Sequence, residues 1–213
     1  MSTPDRDPLR AVPQPGRTVQ GIAFFDFDGT LVKGDSLLPF LGELAGRRRV
    51  RWALARAVKA AVRQPRSPAV PDLRTAVKAS LLHQLLAGVR MEEAQAAARR
   101  LAAWPRWNRR VLDHLRRHKD AGRRVVVATG ALELYMPELL AELEVDALLA
   151  TGLECVDGVL TGRMQGGNCV RATKAHRVAA YLHEHGPFGE SWGYGNRPSD
   201  LPMLALLKHR TVI

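Results

Sequence analysis

The chain has 213 residues, 46% apolar and 25% charged, a composition that can bury a sizeable core and excludes a disordered chain. No run of about eighteen apolar residues occurs, so a transmembrane helix is excluded, and two cysteines, Cys155 and Cys169, are too few for a disulfide scaffold. The net charge of +11 is unevenly placed: residues 44–124 hold 21 Lys and Arg against 5 Asp and Glu, while the rest of the chain holds 11 against 16. A basic block of this kind points to an anionic partner (a phosphorylated substrate, an anionic lipid or a nucleic acid) or to no more than an arginine-rich solvated surface. With few cysteines and no apolar run near the N-terminus to serve as a secretory signal, a reducing cytoplasmic setting is expected.

Residues 1–20 carry Pro4, Pro8, Pro13 and Pro15 and read as a disordered leader. GIAFFDF (21–27) then reads as a short, fully buried strand. From about Leu37 to Lys119 the pattern is helical and alanine-rich. In 47–63, Val50, Leu54, Val58 and Val62 recur at four-residue steps, predicting an apolar stripe among arginines. QPRSPAVP (64–71) is a proline-broken loop. Asp72 is placed to cap a helix over 73–87 that stops at Gly88. Further helices are expected from about 91 to before Pro105, and over 107–120.

Strand signals return at RRVVVAT (123–129), followed by a helix over about 133–143 and a strand at DALLAT (146–151). ECVDGVLTGRM (154–164) sets Asp157-Gly158 between alternating flanks and predicts a hairpin. A helix over 173–185, a strand at SWGYG (191–195), a helix over 199–207 and a terminal strand RTVI complete the chain. The expected fold class is α/β, a Rossmann-like parallel sheet with an inserted all-helical domain. The core is expected over 21–34 and 120–213 and the helical cap over 35–119.

The chemistry concentrates at Asp26-Phe27-Asp28-Gly29-Thr30. Two carboxylates directly after a buried strand sit at the mouth of the crevice that an open parallel sheet forms at its strands' carboxyl ends. Left unpaired or without a metal there, they would be costly. Gly29 permits a tight turn and Thr30 can cap a helix after it. Thr129-Gly130 ends a second strand, Lys174 opens a helix, and Gly195-Asn196-Arg197-Pro198-Ser199-Asp200 ends a third. Each alone also reads as a structural residue, but the sheet would gather them.

These motifs resemble the haloacid dehalogenase superfamily of phosphohydrolases over residues 21–213, in the phosphoserine-phosphatase-like branch (subfamily IB), whose helical cap follows the first motif. FFDFDGTLVKGDS and DGVLTGRMQGGNCVRATKAHRV carry the resemblance, together with GNRPSDLPML, which is similar to the family's GDSxxDLPML. The resemblance implies a phosphatase with Asp26 as nucleophile forming an aspartyl-phosphate and Asp28 as general acid and then base. It implies that Thr129, with backbone N–H groups near Gly29 and Gly130, binds phosphoryl oxygens, and that Lys174 neutralises charge. It also implies Mg2+, held by Asp26, the Asp28 carbonyl, Asn196 and Asp200. Two departures stand out. Asn196 replaces the family's usual aspartate, which weakens Mg2+ binding without forbidding it, and ATGA replaces a serine-containing run.

Asp35 stands where phosphoserine-specific relatives bind the amino group, but it reads equally well as a helix cap. Arg197 is placed to reach the substrate or the cap. A small phosphorylated substrate is the main reading. A second is a phospholipid head group of the phosphatidylglycerophosphate kind, with the basic amphipathic stretch 47–63 and Trp52 lying on an anionic membrane. A third is a non-catalytic relative that grips an anionic partner. Nucleic acid is disfavoured, because only Trp52, Trp104 and Trp107 interleave with the arginines. The oligomeric state is not readable.

Overall fold

The computed structural model describes residues 21–63, 72–196 and 198–213. The expected leader (1–20), the proline-broken loop (64–71) and Arg197 lie outside the described residues. Six strands, β1 (Gly21–Phe25), β2 (Arg124–Leu132), β3 (Ala147–Val156), β4 (Val159–Gln165), β5 (Glu190–Gly195) and β6 (His209–Val212), form one sheet in the order β4-β3-β2-β1-β5-β6. All neighbours are parallel except the β3–β4 hairpin. That hairpin turns at Asp157 (φ +50°) and Gly158 (φ +77°), the two left-handed residues that the Asp-Gly pair predicted.

β1 is apolar throughout because both its faces are covered. Ile22 and Phe24 face one core with Val126, Ala128, Val178 and Met203, and Ala23 and Phe25 face the other with Val125 and Val127. The first core is roofed by helices α7 (Arg171–His185) and α8 (Leu201–Leu204). From β1 the sheet grows to one side through β2, β3 and β4 and to the other through β5 and β6. This reversal of strand order opens a crevice at the carboxyl end of β1.

The helical insertion comprises α1 (Leu37–Ala45), α2 (Arg47–Arg63), α3 (Leu73–Leu86) and α4 (Met91–Leu101), with α1 against α4 and α2 against α3. Asp72 caps α3 as expected, its carboxylate accepting from Thr75 N at 3.0 Å. Helix α5 (Arg109–Asp120), expected in the cap, instead packs on β1 and β2. Its His118 meets the Phe25 ring edge-on, because its Val111, Leu112, Leu115 and His118 form one buried face. The helices after β2 and β5 are shorter than their apolar patterns predict. α6 (Met136–Leu140) and α8 each carry a proline in the first turn, which fixes their starts, and β2 runs on to Leu132.

Helix α2 corrects the predicted stripe. Its buried face is Val50, Ala53, Ala57 and Ala61, small residues that let α2 approach α3, whereas Val58 and Val62 are exposed and Trp52 is 74% exposed. Among the described residues, no helix is long and apolar enough to cross a membrane.

His118 ties α5 to the sheet. Arg123 donates to its Nδ1 at 3.1 Å, so the ring proton sits on Nε2, which faces the Tyr194 hydroxyl at 3.0 Å. Burial, Arg123 and His114 together lower its pKa from 6.5 to about 4. A histidine held neutral stabilises fully above pH 6.5, and that contribution is lost as the pH falls towards 4. We predict that wild type loses on the order of 2 kcal/mol more stability than His118→Gln over that interval. Urea unfolding at both ends of the window checks this, and parallel losses in the two proteins would refute it.

Candidate active site

The residues singled out in the sequence meet at the carboxyl ends of β1, β2 and β5. Asp26 leaves β1 buried, with its backbone N–H donating to Tyr194 O of β5 at 2.9 Å. Its Oδ2 accepts from Thr30 Oγ1 at 2.8 Å, and its Oδ1 accepts from Lys174 Nζ at 2.8 Å. Lys174 is 1% exposed, in the first turn of α7, and also donates to Asp200 Oδ1 at 2.5 Å. Burial pushes the lysine down, but the two carboxylates outweigh it and hold its pKa above the ordinary value. Asp26 is pushed up, by burial first, against Lys174 and with help from Asp200. One ammonium cannot match two buried carboxylates, so the site is short of positive charge.

Asp28 faces the same crevice. Its Oδ1 accepts from Ser36 N at 2.9 Å and its Oδ2 from Ser36 Oγ at 3.1 Å, and that hydroxyl meets Tyr135 OH at 3.0 Å. Burial and Asp35 raise the Asp28 pKa to about 7 against the pull of Ser36. This carboxyl can therefore hold or release a proton near neutrality. The turn between the two aspartates depends on Gly29. Its φ is +77°, and a Cβ there would stand 2.8 Å from Asn196 Nδ2. Gly29 thus shapes the turn and does not stand on the cavity wall.

Asn196 closes the third side. Its Nδ2 donates to Asp28 O at 3.0 Å and faces Asp26 Oδ2 at 3.5 Å, while its Oδ1 accepts from Ser199 Oγ at 3.2 Å. Turning the amide over would aim Oδ1 at the same point, and Ser199 would then accept instead of donating. With the amide so turned, an Asp26 oxygen, the Asp28 carbonyl and Asn196 Oδ1 would form an oxygen set suited to a hard cation, at a place short of positive charge. Asp200, expected as a further metal ligand, is wholly buried beside these groups. Its Oδ1 is taken by Lys174 and its Oδ2 accepts from Asn196 N at 2.8 Å. Among the described residues, no group of three or more His, Cys, Asp or Glu is arranged to hold a metal.

The crevice is a cavity of about 770 Å³. Asp26, Asp28, Thr129, Gly130, Lys174 and Asn196 line its floor. Thr129 is buried at the end of the inner part of β2, its Oγ1 accepting from Ala131 N at 3.0 Å. Asp35 lines the cavity but is exposed, and its Oδ1 accepts from Leu37 N at 3.0 Å as a cap of α1. Three contributors escaped the sequence reading as functional residues. Ser36 bonds the Asp28 carboxyl and Tyr135 backs Ser36, which stands inside the motif FFDFDGTLVKGDS. Lys78 of α3 reaches the core from the cap, donating to Gly130 O, to Asn168 Oδ1 at 2.7 Å and to Thr151 Oγ1 at 3.3 Å. Burial lowers its pKa to about 8, against the pull of Asp35 and Asp28. Nothing in the surrounding alanine-rich pattern distinguishes that lysine.

Residues 23–205 match the family model of the haloacid dehalogenase-like hydrolases, and the chain belongs to that family. It is 29% identical over 181 residues to phosphoserine phosphatase SerB2 of Mycobacterium tuberculosis, covering 84% of this chain but only 41% of that relative. It is 27% identical over 200 residues to Protein CicA of Caulobacter vibrioides, covering 85% and 81%. Among solved structures, a Bordetella pertussis Tohama I protein of unknown function shares the fold with a TM-score of 0.74. It is 24% identical, over 92% of this chain and 90% of that one.

Lys174 is the only cation bonded to the two buried carboxylates among the described residues. Lys174→Met should destabilise the fold by about 3 kcal/mol, because it strands buried charge. Adding Asp200→Asn should recover part of that loss. Denaturant unfolding of the single and double variants checks the expectation, which fails if the losses simply add.

Proposed function

We propose that the protein is a Mg2+-dependent phosphatase that hydrolyses a small phosphomonoester through a phosphorylated Asp26. The observation that carries this reading is the pairing on one cavity floor of a lysine-bound carboxylate, Asp26, with a carboxyl poised near neutrality, Asp28. In the first step the Asp26 carboxylate attacks phosphorus and the bond to the leaving oxygen breaks, while Asp28 gives that oxygen its proton. In the second, Asp28 takes a proton from water, the water oxygen attacks phosphorus, and Asp26 is released with inorganic phosphate. Thr129 and the N–H groups beside Gly130 donate to the phosphoryl oxygens, and Lys174 holds Asp26 in line. A Mg2+ held by Asp26, the Asp28 carbonyl and Asn196 would supply the missing positive charge against the phosphoryl oxygens. Because Asn196 is neutral, its hold on that ion is weaker than an aspartate's. The exposed Cys155 and the buried Cys169 are both free, which supports a reducing, cytoplasmic setting.

Phosphate release from an aryl phosphate with MgCl2 tests the reading. Asp26→Asn should lower turnover on the order of 10⁴-fold or more, and EDTA should abolish it. Asp28→Asn should slow alkyl phosphates by roughly 10²–10⁴-fold and an activated aryl phosphate far less. A fully active Asp26→Asn variant, or equal losses on both ester types in Asp28→Asn, would sink the respective assignment.

The outward face of α2 favours a second reading, peripheral attachment to an anionic membrane. Trp52, Val58 and Val62 stand exposed among seven exposed basic residues, with no acidic residue on the helix. Wild type should co-sediment with phosphatidylglycerol-containing vesicles at low salt, and Trp52→Ser/Val62→Ser should cut the bound fraction several-fold. No co-sedimentation by wild type removes this reading.

A further inference from the structure

We infer that the substrate's leaving group carries an aliphatic segment, which the cap side of the cavity holds against its own apolar wall. This inference rests on the phosphomonoesterase reading above and narrows its substrate class. The cavity whose floor holds Asp26 and Asp28 is walled on the cap side by Leu37 and Leu38 of α1, Leu54 of α2, and Leu73, Val77 and Leu81 of α3. Three helices thus direct six aliphatic side chains at one space. Leu38 and Leu73 keep 38% and 46% of their surface exposed, so part of this lining is wetted until something apolar covers it.

Most charged groups on that side are already paired. Lys78 is tied to Gly130 O, Asn168 and Thr151, Arg171 is paired with Asp72 at 3.4 Å, and one oxygen of Asp35 accepts from Leu37 N. Among the described residues, a small zwitterion such as a phosphorylated amino acid would find Lys78 and Arg171 already paired, with the exposed Arg74 of α3 and one oxygen of Asp35 still lining the cavity beside them. The volume agrees with the wall. About 770 Å³ lies in the range of pockets that enclose ligands much larger than a three-carbon alcohol. An aliphatic chain gains from such a wall in proportion to the area it takes from water, so each buried methylene should raise kcat/KM roughly threefold.

The test is a kcat/KM series with Mg2+ on methyl, butyl, hexyl and octyl phosphate, below their micelle concentrations, beside O-phosphoserine. The expected result is a rise of roughly threefold per methylene, with octyl phosphate preferred over phosphoserine by on the order of 10²-fold. In Leu38→Gln/Leu73→Gln, whose sites are already part-exposed and so tolerate polar groups, the octyl-to-methyl ratio should fall roughly tenfold. A flat series, or phosphoserine ahead of octyl phosphate, overturns the inference while leaving the phosphatase reading intact. If no ester at all is hydrolysed, the phosphatase reading fails instead, and calorimetry with alkylphosphonates then decides the cavity. Octylphosphonate binding more tightly than methylphosphonate sustains the aliphatic site, and equal binding overturns it.

Discussion

The structure turns on one buried ammonium. Lys174 Nζ lies between Asp26 Oδ1 and Asp200 Oδ1, with all three side chains almost wholly out of water. Isolated charges cannot persist there, so the three elements that carry them are held in register. β1 delivers Asp26, α7 delivers Lys174, and the start of α8 delivers Asp200. Asp200 extends the arrangement by fixing the backbone of Asn196 through its second oxygen. Asp26, its cation and the amide beside it are thereby positioned by a single electrostatic triad.

Two carboxyls two residues apart acquire different characters from their surroundings. Asp26 is bound by a full positive charge and a hydroxyl, the partners of a carboxylate. Asp28 has only Ser36 as donor and feels the nearby Asp35, and burial lifts it towards neutrality. Burial raises both acids, but only Asp26 has a full positive charge set against it, and such a difference can divide roles between neighbouring acids. The Tyr135 hydroxyl behind Ser36 meets the serine hydroxyl and comes from the segment after β2, so the surroundings of Asp28 draw on a second part of the chain.

The cap joins this centre through Lys78, Thr75 and Asp72 of the α3 region, which bond to Gly130, Asn168 and Arg171 of the core. Polar contacts thus seal one edge of the cavity, while aliphatic side chains from α1, α2 and α3 face its interior. The alanine face of α2 packs inward and leaves its tryptophan and valines outside. The same helix therefore contributes Leu54 to the cavity and a basic, partly apolar surface to the exterior.

Much of this was legible in the chain. The unbroken apolar run 21–25 pointed to a strand covered on both faces, and Asp26 and Asp28 directly after it pointed to a crevice mouth. The Asp157-Gly158 pair dictated its hairpin through local backbone geometry. Asp72 starts α3 for an equally local reason. What depended on distant partners was not legible. Which stripe of α2 is buried was decided by how closely α3 approaches, which favoured alanines over the valines that hydropathy alone selects. Helix α5 joined the sheet because Phe25 and Tyr194, far away in sequence, offered its His118 a place. Asp200 is bonded through both oxygens because folding brings Lys174 and the Asn196 backbone to it. Lys78 and Tyr135 entered the site from segments with no motif of their own. Local spacing fixes turns, caps and strand ends, whereas burial, charge pairing and the choice of packed face are set by residues that only folding brings within reach.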